Sequence, residues 1–137
     1  MNISFSVKGK FQAKQRPRFN GKFAYTPKET QVYENLVRCK GEEEMVKHNL
    51  LPFTEPLDVE LIFNFEVPKS ATKKMIANII DGNEYPTKKP DVDNIAKTIL
   101  DSLNKICYLD DSQVVDLRVV KVYNLNETGV NITIRSK

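Results

Sequence analysis

The strongest constraint on the fold is an alternating stretch, LDVELIFNFEV, at residues 57–67. Its apolar residues recur at every second position from Leu57 to Val67. Successive side chains of a β-strand point to opposite faces, so this pattern predicts a strand with one buried face. Pro68 ends it, because proline cannot continue a sheet ladder. The fold must therefore contain a sheet whose apolar face is covered by other elements.

The rest of the chain predicts three more strands and three helices. We expect strands at about 2–11, 112–123 and 129–136, and helices at about 26–40, 70–80 and 91–106. Thr26 is the expected N-cap of the first helix, and Pro27 is expected at its first helical position. The helix should run to about Lys40, with Gly41 kinking it before the segment EEEMVKHNL. The short NLNETG link predicts that the last two strands pair as an antiparallel hairpin. This order indicates an α+β fold: one domain over residues 1–137, with a mixed or antiparallel sheet of about four strands covered by helices.

Several functional classes are disfavoured by the composition of the 137-residue chain. No apolar run approaches the ~18 residues of a membrane span, and the N-terminus lacks the apolar block of a signal peptide, so we expect a cytoplasmic protein. Cys39 and Cys107 have no zinc-type spacing, and reduced thiols are expected. The single histidine, His48, argues against a His-rich metal site.

The positive charge of the chain is concentrated at its N-terminus. The first 28 residues contain seven of the 21 Lys and Arg residues and none of the 18 Asp and Glu residues. Phe11, Phe19, Phe23 and Tyr25 are interleaved with these charges. Cations suit phosphates and exposed aromatic rings suit bases, so the pattern indicates a nucleic-acid-binding arm. A solubilising terminus, or aromatic residues belonging to the core, is the alternative interpretation. The candidate DNA contacts in this arm are Lys14, Arg16 and Arg18.

A second charged motif, KKPDVDNIAK, occupies residues 88–97 at the start of the predicted third helix. At about 100° per residue, Asp93, Lys97 and Asp101 share one helix face, opposite an apolar face. Asp91 lies at or just before the helix start. These acids could serve only as a cap, as partners of the helix dipole or as a solvated ion-pair ladder. Lys88 and Lys89 are further candidate DNA contacts.

The acidic pair Asp110-Asp111 changes this interpretation, because it lies between the third helix and an apolar strand. A helix reaching Ile106 ends roughly 20 Å above Asp93, and five extended residues return at most about 17 Å. Long side chains and a late helix start can close this gap, so that either acid of the pair could join the first acids, and Asp101 remains a further candidate. Carboxylates gathered in this way repel one another unless a cation neutralises them, and an all-oxygen site selects Mg²⁺ or Mn²⁺. Such a site beside lysines predicts phosphodiester hydrolysis, with Lys97 neutralising the phosphate or orienting water.

One family resembles this chain over nearly its whole length. Residues 89–123, KPDVDNIAKTILDSLNKICYLDDSQVVDLRVVKVY, resemble the signature of RusA-type Holliday junction resolvases, endonucleases common in phages and prophages. The segments KQRPRF, YTPKETQVYE and LDVELIFNFEVPKS resemble the N-terminal half of its phage-type members. The chain departs from the bacterial prototype in a helix-to-Asp-Asp link one residue shorter and in a less apolar opening.

The resemblance implies a site and an activity. It assigns metal binding to Asp91, Asp93 and Asp111, and a catalytic role to Lys97. It further implies a homodimer that needs Mg²⁺, uses no nucleotide cofactor or membrane, and cuts four-way DNA junctions symmetrically during recombination or repair. Two alternatives are kept: a catalytically silent module that binds branched DNA, and a metal-dependent nuclease or phosphohydrolase acting on another substrate.

Overall fold

The alternating stretch forms the central strand of a four-stranded mixed sheet. A computed structural model describes residues 1–14, 18–25 and 27–137. The strands are β1 (Asn2–Lys8), β2 (Arg18–Phe19), β3 (Ala24–Tyr25), β4 (Leu57–Glu66), β5 (Val114–Asn124) and β6 (Gly129–Ser136). The helices are α1 (Lys28–Lys47), α2 (Lys73–Ile80) and α3 (Val92–Ser102). The α+β class predicted from the sequence is confirmed.

The sheet order is β1-β6-β4-β5, with β4 parallel to β5 and antiparallel to β6. The predicted β5–β6 hairpin is therefore wrong, because β4 lies between the two strands. The reason is geometric. The five steps from Asn124 to Gly129 can cover about 17 Å, whereas two strand spacings are only about 10 Å. The link is long enough to cross the end of β4, and β4 gains a hydrogen-bonded neighbour on each side.

One face of the sheet carries the core and the other faces solvent. α1 packs against α3 and β1, and α3 also contacts β5. The buried residues are Leu57, Val59, Leu61, Phe63 and Phe65 of β4, Val130, Ile132 and Ile134 of β6, Ile3 and Val7 of β1, Ile95, Ala96 and Ile99 of α3, and Tyr33, Val37 and Met45 of α1. On the opposite face Arg118 of β5 donates to Glu60 of β4 at 3.0 Å. None of the helices in the described part of the chain combines the length and apolar character needed to cross a bilayer.

Helix α1 runs on through Gly41 to Lys47, so the predicted end near Lys40 is wrong. Gly41 is buried, and a Cβ atom there would lie 2.6 Å from Leu103 Cδ2. The glycine therefore allows a close approach between α1 and the segment after α3. That packing outweighs the roughly 1 kcal/mol cost of glycine within a helix. Pro27 occupies the cap position instead of the first helical position, and Thr26 lies outside the described residues.

Helix α3 ends at Ser102, four residues earlier than predicted. Lys105 adopts a positive φ of 69°, and its N–H donates to the carbonyl of Tyr108 at 2.8 Å. Tyr108 is fully buried, and its hydroxyl donates to Leu100 O at 2.6 Å. Burial of this large ring beside the helix turns the chain back early. The turn then leads into a short 3₁₀ helix, Asp111–Gln113, and into β5.

The N-terminal segment also differs from expectation. β1 ends at Lys8, before the predicted residue 11, because its partner strand β6 begins at Gly129 opposite Lys8. Within the predicted loop at 12–25, β2 pairs with β3 as a small hairpin. Its turn is closed by the Asn20 N–H, which donates to Phe23 O at 3.2 Å.

Candidate active site

The first two turns of α3 present three of the predicted site residues to solvent. Asp91 is the cap residue, Asp93 lies in the first turn and Lys97 one turn later, and all three are exposed. The Asp91 side chain makes no capping hydrogen bond. Because Ile95 and Ile99 anchor the opposite helix face in the core, this polar face is fixed toward solvent. The helix dipole also favours negative charge at this end.

The segment before Asp91 is tied to the sheet. Lys121 of β5 donates from its Nζ to the carbonyl of Lys88 at 2.6 Å. The same Nζ lies 5.1 Å from the centre of the Phe65 ring, within cation–π range. Lys88 and Lys89 are exposed, and the Lys89–Pro90 peptide bond is cis. The two predicted DNA-binding lysines therefore lie next to the carboxylates, on a segment that β5 holds.

The second acidic pair divides into two different roles. The Asp110 carboxylate accepts the Ser112 N–H at 3.2 Å, and the Asp110 N–H donates to Gln113 Oε1 at 2.9 Å. Hydrogen bonds from Ser112 lower the pKa of Asp110 below its ordinary value. Asp110 thus caps the 3₁₀ helix. Within the described residues the half-buried Asp111 carboxylate has no such partner, which favours Asp111 over Asp110 as a ligand.

Gln113 anchors this turn to the rest of the protein. Its Nε2 donates to Phe53 O at 2.9 Å and to Glu55 O at 3.1 Å. Its Oε1 accepts the Asp110 N–H, completing a capping box. The sequence analysis assigned Gln113 no capping role, although an acid followed three residues later by glutamine is a recognisable capping signal.

Tyr108 relates the second acidic pair to α3. Burial raises the pKa of its hydroxyl, and the charges of Cys107, Asp111 and Asp101 raise it further. Asp111 and Asp101 therefore act on one hydroxyl, beside the last turns of α3. Asp101, which the sequence left open as a third acid, is paired with Lys14 instead, 3.4 Å from its Nζ.

Chain length does not prevent the predicted convergence of acids. From Asp93 to Ser102 the helix rises only about 14 Å, and the nine residues to Asp111 could span about 30 Å. The sequence estimate, in which the chain after the third helix was too short to return to Asp93, arose because the predicted helix was too long.

No group of three or more His, Cys, Asp or Glu side chains within residues 1–14, 18–25 and 27–137 is placed to hold a metal ion. The structure therefore does not place Asp91, Asp93 and Asp111 as one group of ligands, and metal binding by these three residues stays a prediction. Asp91 and Asp93 alone fit a hard cation by their chemistry. They are exposed carboxylates two residues apart in the sequence, and Mg²⁺ typically takes one or two carboxylates with water and phosphate oxygens.

Lys14 links three parts of the fold. Its Nζ lies 3.1 Å from Glu34 of α1 and 3.4 Å from Asp101 of α3, and its N–H donates to Asn94 O at 3.2 Å. Burial alone would lower the pKa of Lys14, but the hydrogen bond and charge of Glu34, with those of Asp101, raise it overall. DNA binding by Lys14 stays untested, and the side chain already has two carboxylate partners.

The structure describes only one of the other two predicted DNA-binding residues of the arm. Arg16 lies outside the described residues. Arg18 is exposed on the small hairpin, beside Phe19, which is 77% exposed. Phe23 in the hairpin turn is 69% exposed, so these two rings do not belong to the core. Phe11 does pack against the core, with its ring centre 5.1 Å from that of Phe63. The core interpretation therefore holds for Phe11, whereas contact of Phe19 and Phe23 with bases stays a prediction.

Comparison with known proteins agrees with the resemblance. A family model described as Endodeoxyribonuclease RusA matches residues 8–135 of this chain. The chain is also 35% identical over 139 residues to the uncharacterized protein YqaN of Bacillus subtilis strain 168. That alignment covers 97% of this chain and 95% of YqaN.

Proposed function

This chain belongs to the RusA endodeoxyribonuclease family, and we propose from that premise that it is a Mg²⁺-dependent resolvase of four-way DNA junctions. It acts by symmetric phosphodiester hydrolysis in DNA recombination or repair, in the cytoplasm of a bacterial or phage-infected cell. The observation that carries this proposal is the exposure of Asp91, Asp93 and Lys97 at the start of α3, shortly after the exposed Lys88 and Lys89.

The acids and the lysines have separate roles in this proposal. Asp91 and Asp93 would hold the cation, and Asp111, which does not form a ligand group with them in this structure, would join as a third ligand when the cation binds. Bound there, Mg²⁺ supplies charge neutralisation and a water of lowered pKa. Lys97 lies one helical turn from Asp93, and its ammonium group neutralises negative charge that builds on the phosphate oxygens. The exposed Arg18, Lys88 and Lys89, with Arg16, hold DNA phosphates.

The chemical step is hydrolysis of one phosphodiester bond in each of two related strands. A water oxygen attacks phosphorus, the bond from phosphorus to the leaving deoxyribose oxygen breaks, and a proton passes to that oxygen. The products are one hydroxyl terminus and one phosphate terminus at each nick. Asp91, Asp93 and Lys97 need only bind and orient the groups, because the phosphoryl centre requires no covalent help from the protein.

We further propose that two chains form a homodimer, so that two sites meet the two strands that are cut. The edge strand β5 supports this assembly. It is 11 residues long, it is the outermost strand of the sheet on its side, and it exposes 62% of Val115 and 42% of Leu117. Long apolar edge strands readily pair with another chain. Light scattering coupled to size exclusion should give twice the monomer mass, and a monomer at micromolar concentration would contradict this assembly.

Cleavage assays separate the proposed activity from its alternatives. Labelled four-way junction, plain duplex and single strand are each incubated with Mg²⁺ and with EDTA. We expect paired symmetric nicks in the junction, only with Mg²⁺. Equal cutting of plain duplex would indicate a general nuclease, and tight junction binding without cuts would indicate a silent binding module. Either result contradicts junction resolution.

Variants test the acids by cleavage and by metal binding. We expect Asp93→Asn to abolish junction cleavage while junction binding in EDTA persists. Glu42→Gln removes one exposed carboxylate from α1 and is the matched control. Mn²⁺ binding, measured by electron paramagnetic resonance, should weaken at least 10-fold in Asp93→Asn and stay unchanged in the control. Cleavage by Asp93→Asn at the parent rate would remove this residue from the mechanism.

A further inference from the structure

A groove of about 520 Å³ lies beside the candidate active site. Three segments that are distant in sequence form most of its walls, together with Thr128: residues 10–12 after β1, residues 65–69 at the end of β4, and residues 88–90 before α3. We call it the lysine groove. Its last wall ends at Pro90, the residue directly before Asp91. The groove therefore leads to the start of the helix that carries the acids.

The lining of the lysine groove is strongly cationic. Four of the lining residues are lysines, Lys10, Lys69, Lys88 and Lys89, against one acid, Glu66. All four lysines are exposed, and within the described residues none of them forms an ion pair. Other lysines of the chain do find carboxylate partners, for example Lys14 and Lys137. Four unpaired cations in one concave site produce a local field that attracts a polyanion.

Contacts beneath the groove hold its walls in place. Phe11 packs edge-on against Phe65, with ring centres 4.9 Å apart. Lys121 bridges the Phe65 ring and the carbonyl of Lys88. The segment that carries Lys10 is fixed at both ends, because the Gly9 N–H donates to Thr128 O at 2.9 Å and the Lys14 N–H to Asn94 O. The lysine groove is thus formed before a ligand arrives.

The chemistry of the walls distinguishes a strand backbone from a small phosphate ester. Lysines are point charges that attract phosphate without reading bases. Phe65 lines the groove but is only 5% exposed, so its ring gives no open platform for a nucleobase. Among the described residues, the lining has no glycine, whose backbone N–H group is the usual cradle for a nucleotide's phosphates. These features favour contact with successive phosphates of a chain.

We propose that the lysine groove binds the phosphodiester backbone of one DNA strand and directs it toward Asp91. This inference rests on the proposed function, and it assigns DNA contacts to Lys10 and Lys69 in addition to Lys88 and Lys89. Contacts of this type are independent of sequence. Each phosphate neutralised adds about 0.9 to the slope of log affinity against log salt concentration.

The test uses the full chain and a labelled four-way junction in EDTA, so that binding is measured without cleavage. Lys10→Ala/Lys69→Ala leaves every predicted catalytic residue intact. Two lost contacts should reduce the salt slope by about 1.8 and weaken binding by up to about 60-fold near 0.1 M salt. The matched control is Lys40→Ala/Lys47→Ala, which removes the same charge from α1 and should bind nearly as the parent does. Circular dichroism melting confirms that both variants are folded.

The outcomes separate this inference from the proposed function. If the groove variant binds the junction less tightly and with a smaller salt slope than the parent, and the parent does not cut junctions, the groove assignment holds and the resolvase proposal fails. If the parent cuts junctions and the groove variant matches the control in affinity and slope, the groove assignment is wrong and the resolvase proposal stands. A parent chain that binds no DNA overturns both.

Discussion

Replacing Gln113 with alanine tests how the second acidic pair is held. The substitution removes both donations from Nε2, to Phe53 O and Glu55 O, and the acceptor for the Asp110 N–H. Each such hydrogen bond contributes about 0.5–1.5 kcal/mol net. Phe53 O also accepts from the Leu109 N–H at 3.4 Å, so it is not left without a donor. We therefore expect the free energy of unfolding to fall by about 2 kcal/mol.

The measurement is thermal unfolding followed by circular dichroism. For a domain of this size about 2 kcal/mol corresponds to a decrease in Tm of roughly 6–10 °C. Junction cleavage should fall as well, because the turn that positions Asp111 loses its anchor. Gln113→Glu keeps an acceptor for Asp110 but places a carboxylate against two carbonyls, so it should destabilise at least as much. This pair of variants separates the donor contacts of Gln113 from its acceptor contact.

Asn126→Ala is the control for Gln113→Ala. Asn126 is exposed in the β5–β6 link, and its backbone N–H, which the substitution retains, donates to Asn124 at 2.8 Å. Its Tm should stay within about 2 °C of the parent, as is usual for exposed sites. A Gln113→Ala protein as stable as this control, with full cleavage activity, would refute the anchoring role.

Three further substitutions test other contacts of the fold. Lys14→Met should destabilise by about 1 kcal/mol at pH 7, because two carboxylates lose their partner. Because the pKa of Lys14 is raised in the folded protein, the difference in free energy of unfolding between the parent and Lys14→Met is fully present below the ordinary lysine pKa of 10.5. This difference disappears as the pH rises through the higher pKa of the folded state. Urea unfolding of both proteins at pH 8 and pH 11 measures it. Gly129→Ala should lower the free energy of unfolding by at least about 2 kcal/mol, because φ at Gly129 is 148° and an added Cβ atom would clash with Val7 O. An unchanged midpoint of urea unfolding would contradict this. Tyr108→Phe should cost about 1–2 kcal/mol in thermal unfolding, because Leu100 O loses its 2.6 Å donor, whereas an unchanged Tm would mean that this bond has no net value.

The spacing of apolar residues along the chain was enough to predict the strand and the helix that bury one face in the core. β4 was predicted at 57–67 and runs from Leu57 to Glu66, because alternation and Pro68 define it locally. The exposure of Asp93 and Lys97 followed from helical spacing in the same way. The strand pairing did not follow, since the length of the 125–128 link allows both a hairpin and a crossing of β4.

Features set by distant packing were the ones missed. The early end of α3 depends on burial of Tyr108, and the continuation of α1 depends on room for Leu103 beside Gly41. The lysine groove joins three segments, so neither Lys10 nor Lys69 could be grouped with Lys88 from spacing alone. Asp110 and Asp111 are equivalent in sequence. They differ in the structure because the Ser112 N–H bonds only one of the two carboxylates.

The pairing of β1 with β6 also sets when this protein can become active in the cell. Asn2 lies opposite Arg135, so the strand made first must wait for the strand made last. Until β6 has left the ribosome, β1 has no neighbour in the sheet and β4 lacks one of its two. The groove wall that follows β1 cannot settle before then. A nascent chain is therefore expected to remain inert toward DNA until β6 has been made and has paired with β1.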